Sequence, residues 1–405
     1  MKKISISWLL VNVWFFLFVT RTEFPALGTF AGLSYTLRGI AGFLLFMHLS
    51  LLHGIRPKLR SLSLAILLAT FFLAGNFSDP SLFALIASFG IMIGLVLAGL
   101  LQGPKSLELF TKLVQIYIKV NLVGLLLAAA TYYGAGLEID FHGLMFPWSS
   151  SRAQEFMGFF RITGFQVEPG TYTATIHLFI LMSAVLRGQM FGRLETIAML
   201  STLGTMSAWA AFAIASYTAG CLIEAIQRRS HRTIITKWVV VIIALVPLLS
   251  LIEFTSVENA AYIQYFFDRL STENASGSMV LKLQAWEAWK SQLDSGMLFP
   301  RSLNESFCPF CLSPQDLGTL INFIWYAGLV FAVPFLALLG TLAIRHLGLS
   351  LLVASLPLVI AKFYFFDPAL WLYFGMLLFL PTSLKKRRGN QLRKKHGEPL
   401  VDRYK

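Results

Sequence analysis

Charge is what this chain has least of. Asp, Glu, Lys and Arg together make up 13% of its 405 residues, while the hydrophobic types make up 56%. Soluble domains carry about 25% charged residues, so a water-soluble globular fold is excluded. Cysteine is almost missing: three residues cannot build a disulfide scaffold. Acids are scarcer than bases, 20 against 33, which leaves a net charge of +13. No sequence repeat is visible at the motif level, which disfavours the inverted-repeat transporter folds. Nor does the run after Lys2 and Lys3 carry a small-residue cleavage site, so it reads as a retained first span rather than a removed signal peptide.

What is present is a series of apolar runs. Bounded by charge, proline or glycine, they fall at 4–20, 29–52, 61–76, 81–102, 113–134, 169–187, 194–208, 209–227, 237–254, 317–341, 347–365 and 367–384. These are of helix-spanning length rather than short alternating barrel strands, and in lipid a helix satisfies its own backbone. The expected fold is therefore all-α, a polytopic integral membrane protein of about twelve transmembrane helices with two large periplasmic or extracellular loops. The run over 194–227 is divided at 205–209, because a single span of that length would exceed the bilayer.

Most of the positive charge lies on one side of this scheme. Lys2 and Lys3, Arg56, Lys58 and Arg60, Lys105 and Lys112, Arg187 and Arg193, Arg228 to Lys237, Arg345 and the tail KKRRGNQLRKK alternate with the spans as the positive-inside rule requires. This places both termini in the cytoplasm, and it accounts for the basic balance without nucleic acid as a partner. The organisation is then N-terminal membrane helices over 1–134, a first outer loop over 135–168, central helices over 169–254, a second outer loop over 255–316, C-terminal helices over 317–384 and a basic cytoplasmic tail over 385–405. Loops this long on a helical frame are where binding and catalytic groups concentrate. The second contains SMVLKLQAWEAWKSQL, with Met279, Leu283, Trp286 and Leu293 at helical spacing, an amphipathic helix suited to the outer interface.

The stretch FRITGFQVEPGTYTAT, Phe160 to Thr175, carries the most pointed chemistry. Pro169 marks the first turn of a helix, so Glu168 is expected at or beside its N-cap, with its carboxylate toward the free N–H groups there; Arg161 and Gly164 lie in the loop leading in. One reading has Arg161 pairing with lipid phosphate and Glu168 capping a helix. The other has a guanidinium binding phosphate in two-point geometry, with a carboxylate for a sugar hydroxyl or for orienting the arginine. In the second loop Arg269, Lys282, Lys290 and Arg301 form a cationic set, either a headgroup-facing surface or a patch for an anionic substrate. Asp316 is a helix N-cap acid or a general base at the membrane face.

Arg38 sits mid-span with no short route to water, so it either pairs inside the bundle or lines a substrate cavity. Lys119 is close enough to the inner face to snorkel, Lys362 has Asp367 as a candidate partner, and Glu224 is expected to snorkel from the inner end of its span. Cys308 and Cys311 have thioredoxin-like spacing without a βαβ setting, which favours a local disulfide over a redox or zinc role.

The run RITGFQVEPGTYTAT resembles the arginine, glycine, glutamate and proline signature of the O-antigen polymerase and ligase superfamily, membrane enzymes of bacterial surface polysaccharide assembly. Downstream, DRLST, then SGSMVLKLQAWEAW and QDLGTLINFIWYAG follow the order of that family's second outer loop and next helix. The resemblance implies a glycosyltransferase acting on undecaprenyl-pyrophosphate-linked oligosaccharide, with no cofactor and no metal, in the lipid bilayer and with a chain-length regulator protein as a partner. It assigns Arg161 to holding pyrophosphate or polymer, Glu168 to the acid that follows, and Arg269 to the arginine at the start of the second motif. Where many members have arginine in the amphipathic segment this chain has Lys282, a point charge without the two-point fork. Asp316 stands where the family places histidine or aspartate, and aspartate leans toward polymerase rather than ligase. The implied chemistry has Asp316 or Glu168 as base, Arg161 and Arg269 on the pyrophosphate, Lys282 and Arg38 as helpers, and the lipid tail entering laterally between helices. A ligase or, from another class, a lipid-linked sugar flippase is the alternative.

Overall fold

The computed structural model describes residues 5–22, 31–74, 82–149, 151, 154–156, 159–205, 207–227, 287, 291, 298, 318–360, 363 and 366–380. Among these, helices dominate. In chain order they are α1 (Ile6–Val19), α2 (Ala31–Leu52), α3 (Leu59–Ala74), α4 (Leu82–Gly99) and α5 (Pro104–Ala129), the last continued by a π turn over Ala130–Gly134. A short α6 (Phe141–Met145) and a hairpin of β1 (Gln154–Phe156) and β2 (Phe159–Arg161) follow. Then come α7 (Pro169–Arg187), α8 (Arg193–Ser201) with a 3-10 turn over Thr202–Thr205, and α9 (Ala208–Gln227). After residues 228–317 the chain resumes with α10 (Thr319–Ala327), α11 (Leu329–Leu347), α12 (Leu349–Ile360) and α13 (Pro368–Phe379). Among the described residues, five helices are long and apolar enough to cross a membrane, and five shorter helices are also apolar. The protein is a helical membrane protein in this coarse sense.

The bundle is built around α7. Pro169 occupies its first position, where a missing N–H costs nothing, and Gly188 ends it in the left-handed conformation at φ 73°. Every residue from Pro169 to Leu186 except Gly170 is buried. A helix enclosed on all sides is a core helix, and this one is polar at Thr171, Thr173, Thr175, His177 and Ser183. It packs against α5, α8, α9, α12 and α13. In the interior, the edges of Phe15 meet Phe110, Tyr117 and Phe179 at centroid distances of 6.5, 6.3 and 6.0 Å.

Three expected spans change. The run expected over 317–341 is two helices, because Gly328 adopts φ 73° and ψ 154°, a conformation no helical residue holds; the chain turns there and α11 carries on to Leu347. The run expected over 347–365 starts at Leu349 as α12, past a second glycine at positive φ, Gly348 at 71°; α12 is described to Ile360, and residues 361, 362, 364 and 365 lie outside the described residues. The expected span 194–208 is a nine-residue α8 plus a four-residue 3-10 turn. Together these rise roughly 20 Å, short of the ~30 Å hydrocarbon thickness.

Glu224 does not snorkel. Its side chain is buried and its carboxylate accepts from the backbone N–H groups of Met190 and Phe191, at 2.8 and 3.4 Å, so it closes the turn between α7 and α8. Beside it Arg187 donates to Glu195, at 2.8 Å, and Ser183 donates to the same carboxylate. Two acids and a base thus form an internal polar lock at this end of α7. Lys119, by contrast, is exposed.

Candidate functional site

The segment 159–168 begins as a strand and is then clamped into the end of the bundle. β2 pairs with β1 in antiparallel register, Arg161 opposite Gln154. The π turn at the end of α5 presents two tyrosines to it. The Tyr132 ring stacks on Phe160 at 4.4 Å, and the Tyr133 hydroxyl bonds both the N–H and the carbonyl of Phe160, at 3.2 and 3.1 Å. π turns are rare and recur where a helix must redirect side chains.

Next along the segment, Ile162 N–H donates to the Gly204 carbonyl at 3.4 Å, and Arg161 Nε donates to the Thr205 carbonyl at 3.4 Å. Arg161 is half-buried. Gly164 takes the left-handed conformation at φ 58°, as its expected turn requires. Phe165 then enters a notch in α5 at Gly124, where a Cβ would lie 2.4 Å from the ring. The Phe165 carbonyl accepts from His142 Nδ1 at 2.9 Å, and His142 Nε2 accepts from the Ser149 hydroxyl at 2.8 Å. His142 is wholly buried and ties α6 to the segment.

Gln166 goes deepest. It is wholly buried and donates through Nε2 to Asn121 Oδ1 at 2.7 Å and to the Tyr117 hydroxyl at 3.0 Å. Asn121 Nδ2 donates to the Tyr117 carbonyl at 3.0 Å, which fixes the orientation of both amides. The Tyr117 hydroxyl lies 3.4 Å from Thr20 Oγ1, so the network runs from this segment to the end of α1.

Glu168 is the N-cap residue of α7, as expected, but its carboxylate makes no bond to the backbone N–H groups. It accepts instead from the Thr171 hydroxyl at 3.2 Å, a side chain one turn into the helix. Thr171 also lines a cavity of about 20 Å³ between the end of α1, the first half of α7 and the start of α13. Arg21, Thr175 and Asp367 supply its other polar walls. That volume suits one water-sized group.

Arg38 takes the internal alternative. Only 2% exposed, it forms a two-point pair with Asp367, NH1 to Oδ2 at 2.9 Å and NH2 to Oδ1 at 2.7 Å. Its Nε donates to the Phe18 carbonyl at 2.9 Å and NH2 reaches that of Val19 at 3.5 Å. Those carbonyls are free ends of α1, and Asp367 itself caps α13 by accepting from Ala369 N–H at 2.9 Å. From within α2 the arginine therefore joins the ends of two other helices, α1 and α13, and Asp367, expected as a partner for Lys362, is its counter-ion. Lys362, Asp316, Arg269, Lys282, Lys290, Arg301, Cys308 and Cys311 lie outside the described residues.

A second depression lies among α2, α3 and α4. It has a volume of about 450 Å³ and walls of Ile40, Ile66, Leu73, Leu85 and Phe89, with little polar surface. Arg21, Tyr133, His142 and Gln166 carried no sequence signal. Each acts through a partner between 23 and 49 positions away, or through a wall shared with α7 and α13. Among the described residues no three His, Cys, Asp or Glu side chains converge as metal ligands. No family model, curated protein or solved structure matches the chain.

Proposed function

We propose that this protein is a polysaccharide polymerase that joins undecaprenyl-pyrophosphate-linked oligosaccharide repeat units at the outer face of the bacterial inner membrane, producing O-antigen, capsule or exopolysaccharide. One observation carries the reading. The stretch with the family resemblance is seated in the bundle by Tyr132, Tyr133, His142, Gly124 and the Gln166 network, and so holds Arg161 and Glu168 on a packed frame, with Thr171, the partner of Glu168, on the wall of a small cavity. Positioning of that kind is what a site needs and a lipid-anchoring arginine does not.

In the proposed reaction an acceptor sugar hydroxyl attacks the anomeric carbon of the donor. The new C–O bond forms as the bond to the pyrophosphate oxygen breaks, the proton passes to Asp316 or Glu168, and the anomeric centre inverts. Charge growing on the departing pyrophosphate is met by Arg161 and Arg269, with Lys282 and Arg21 in support. Arg38 leaves this list, because its guanidinium is committed to Asp367 and α1. The apolar groove among α2, α3 and α4 is where we place the prenyl tail. The same reading has about twelve passes, two large outer loops and both termini in the cytoplasm.

Deletion of the gene, with complementation by Arg161→Ala and Asp316→Ala and electrophoresis of surface glycan, tests it. A polymerase predicts loss of long chains with one repeat unit retained on its acceptor. Complete loss from the acceptor, with lipid-linked polymer accumulating, identifies a ligase; lipid-linked single units trapped on the inner leaflet identify a flippase. Full complementation by Arg161→Ala removes that residue from the chemistry.

A further inference from the structure

α7 and the segment that leads from the 3-10 turn into α9 run past one another in the same direction and meet in two rungs, one helical turn apart. The first rung is closed: Thr173 Oγ1 and Thr205 Oγ1 are 2.9 Å apart. Four residues further on each element, His177 faces Trp209 with ring centroids 5.4 Å apart and planes inclined at 54°. This second rung has no direct hydrogen bond between its members.

The chemistry of the two rings is complementary. His177 is wholly buried and its Nε2 lies 2.9 Å from the carbonyl oxygen of Ala354 in α12. A carbonyl only accepts, so Nε2 carries the proton and Nδ1 of the neutral ring is left with a lone pair. Trp209 Nε1 is a donor and nothing else. Both nitrogens are sealed from solvent, and neither has a hydrogen-bond partner among the described residues. An unmatched acceptor and an unmatched donor on touching rings each carry the full desolvation penalty of a buried polar group. A water molecule between them removes both, and buried polar groups left unpaired by the protein are where proteins keep internal water.

We propose that one internal water binds between His177 and Trp209, accepting from Trp209 Nε1–H and donating to His177 Nδ1. It joins α7, α9 and α12 at the middle of the bundle and holds His177 as the Nε2–H tautomer. It also secures the segment one turn above, where the Thr205 carbonyl receives Arg161. The water is independent of the polymerase reading and stands without it.

Solid-state NMR on the full chain, ¹⁵N-labelled and reconstituted in lipid bilayers, tests this directly. The expected result is polarisation transfer from a water proton to both Trp209 Nε1–H and the His177 ring, with ¹⁵N shifts showing protonated Nε2 and a hydrogen-bonded, unprotonated Nδ1. In Trp209→Phe the transfer to His177 is lost and its Nδ1 resonance moves toward that of a bare lone pair. Should that variant not accumulate, His177→Leu is read at the indole, where the transfer disappears. Absence of water transfer in the wild-type chain, protonation at Nδ1, or an unchanged water contact in either variant overturns the proposal.

Discussion

Arg38 and Asp367 are separated by 329 positions in the chain and joined by two hydrogen bonds of 2.9 and 2.7 Å in the interior. Removing one partner strands the other charge among apolar helices, at a cost of about 3–5 kcal/mol. Arg38→Ala and Asp367→Ala are each expected to lower the thermal midpoint in detergent sharply. Arg38→Met combined with Asp367→Leu recovers much of the loss, since replacing both charges strands neither. A double variant no more stable than the singles would show that the pair does more than satisfy itself.

Gly124 is expected to be intolerant of side chains for a reason that lies in the segment 159–168. A Cβ there meets the Phe165 ring at 2.4 Å, so Gly124→Leu expels Phe165 and unseats the segment bearing Arg161 and Glu168. On the proposed polymerase reading, surface glycan of long chain length is expected to disappear while the protein still accumulates. Adding Phe165→Ala to Gly124→Leu restores space, and partial return of polymer checks the contact.

Tyr133 holds the backbone of Phe160 with one hydroxyl. Tyr133→Phe removes that hydroxyl and keeps the ring, at a cost of about 1 kcal/mol. Hydrogen exchange at residues 159–161 is expected to quicken about fivefold, with exchange in α7 unchanged.

Glu168→Gln separates two roles of the carboxylate. The amide oxygen still accepts from the Thr171 hydroxyl, so the start of α7 keeps its 3.2 Å contact, but the side chain no longer takes a proton. If Glu168 is the base, polymer formation falls about 100-fold or more with stability unchanged. Wild-type polymer formation in this variant assigns the base elsewhere, and the parallel measurement on Asp316→Asn then decides between the two acids.

For Arg161, Lys is expected to be a poor substitute. The lysine ammonium is a point charge that lacks the planar fork, so Arg161→Lys should resemble Arg161→Ala in glycan length while leaving protein levels at those of the wild type. Rescue by lysine would reduce the role to simple charge.

How much of this could be read in advance depends on the range of the interaction. The class of protein, the start of α7 at Pro169 and its end at Arg187 follow from apolar run length, a proline in the first turn and a glycine past the last. These signals are local, so the sequence by itself determined them, and it also marked Arg161 and Glu168 through charge beside hydrocarbon. Tertiary structure alone decided the rest. The break at Gly328 lies within a run that is apolar on both sides, so composition is silent there and only the backbone conformation divides it. Glu224 looked near enough to an end to reach water, yet two backbone N–H groups from a neighbouring turn hold it inside. Arg38 was visible as a misplaced charge, but its counter-ion was not, because a buried charge takes whichever acid the packing brings within reach, and packing joins residues that are distant in sequence.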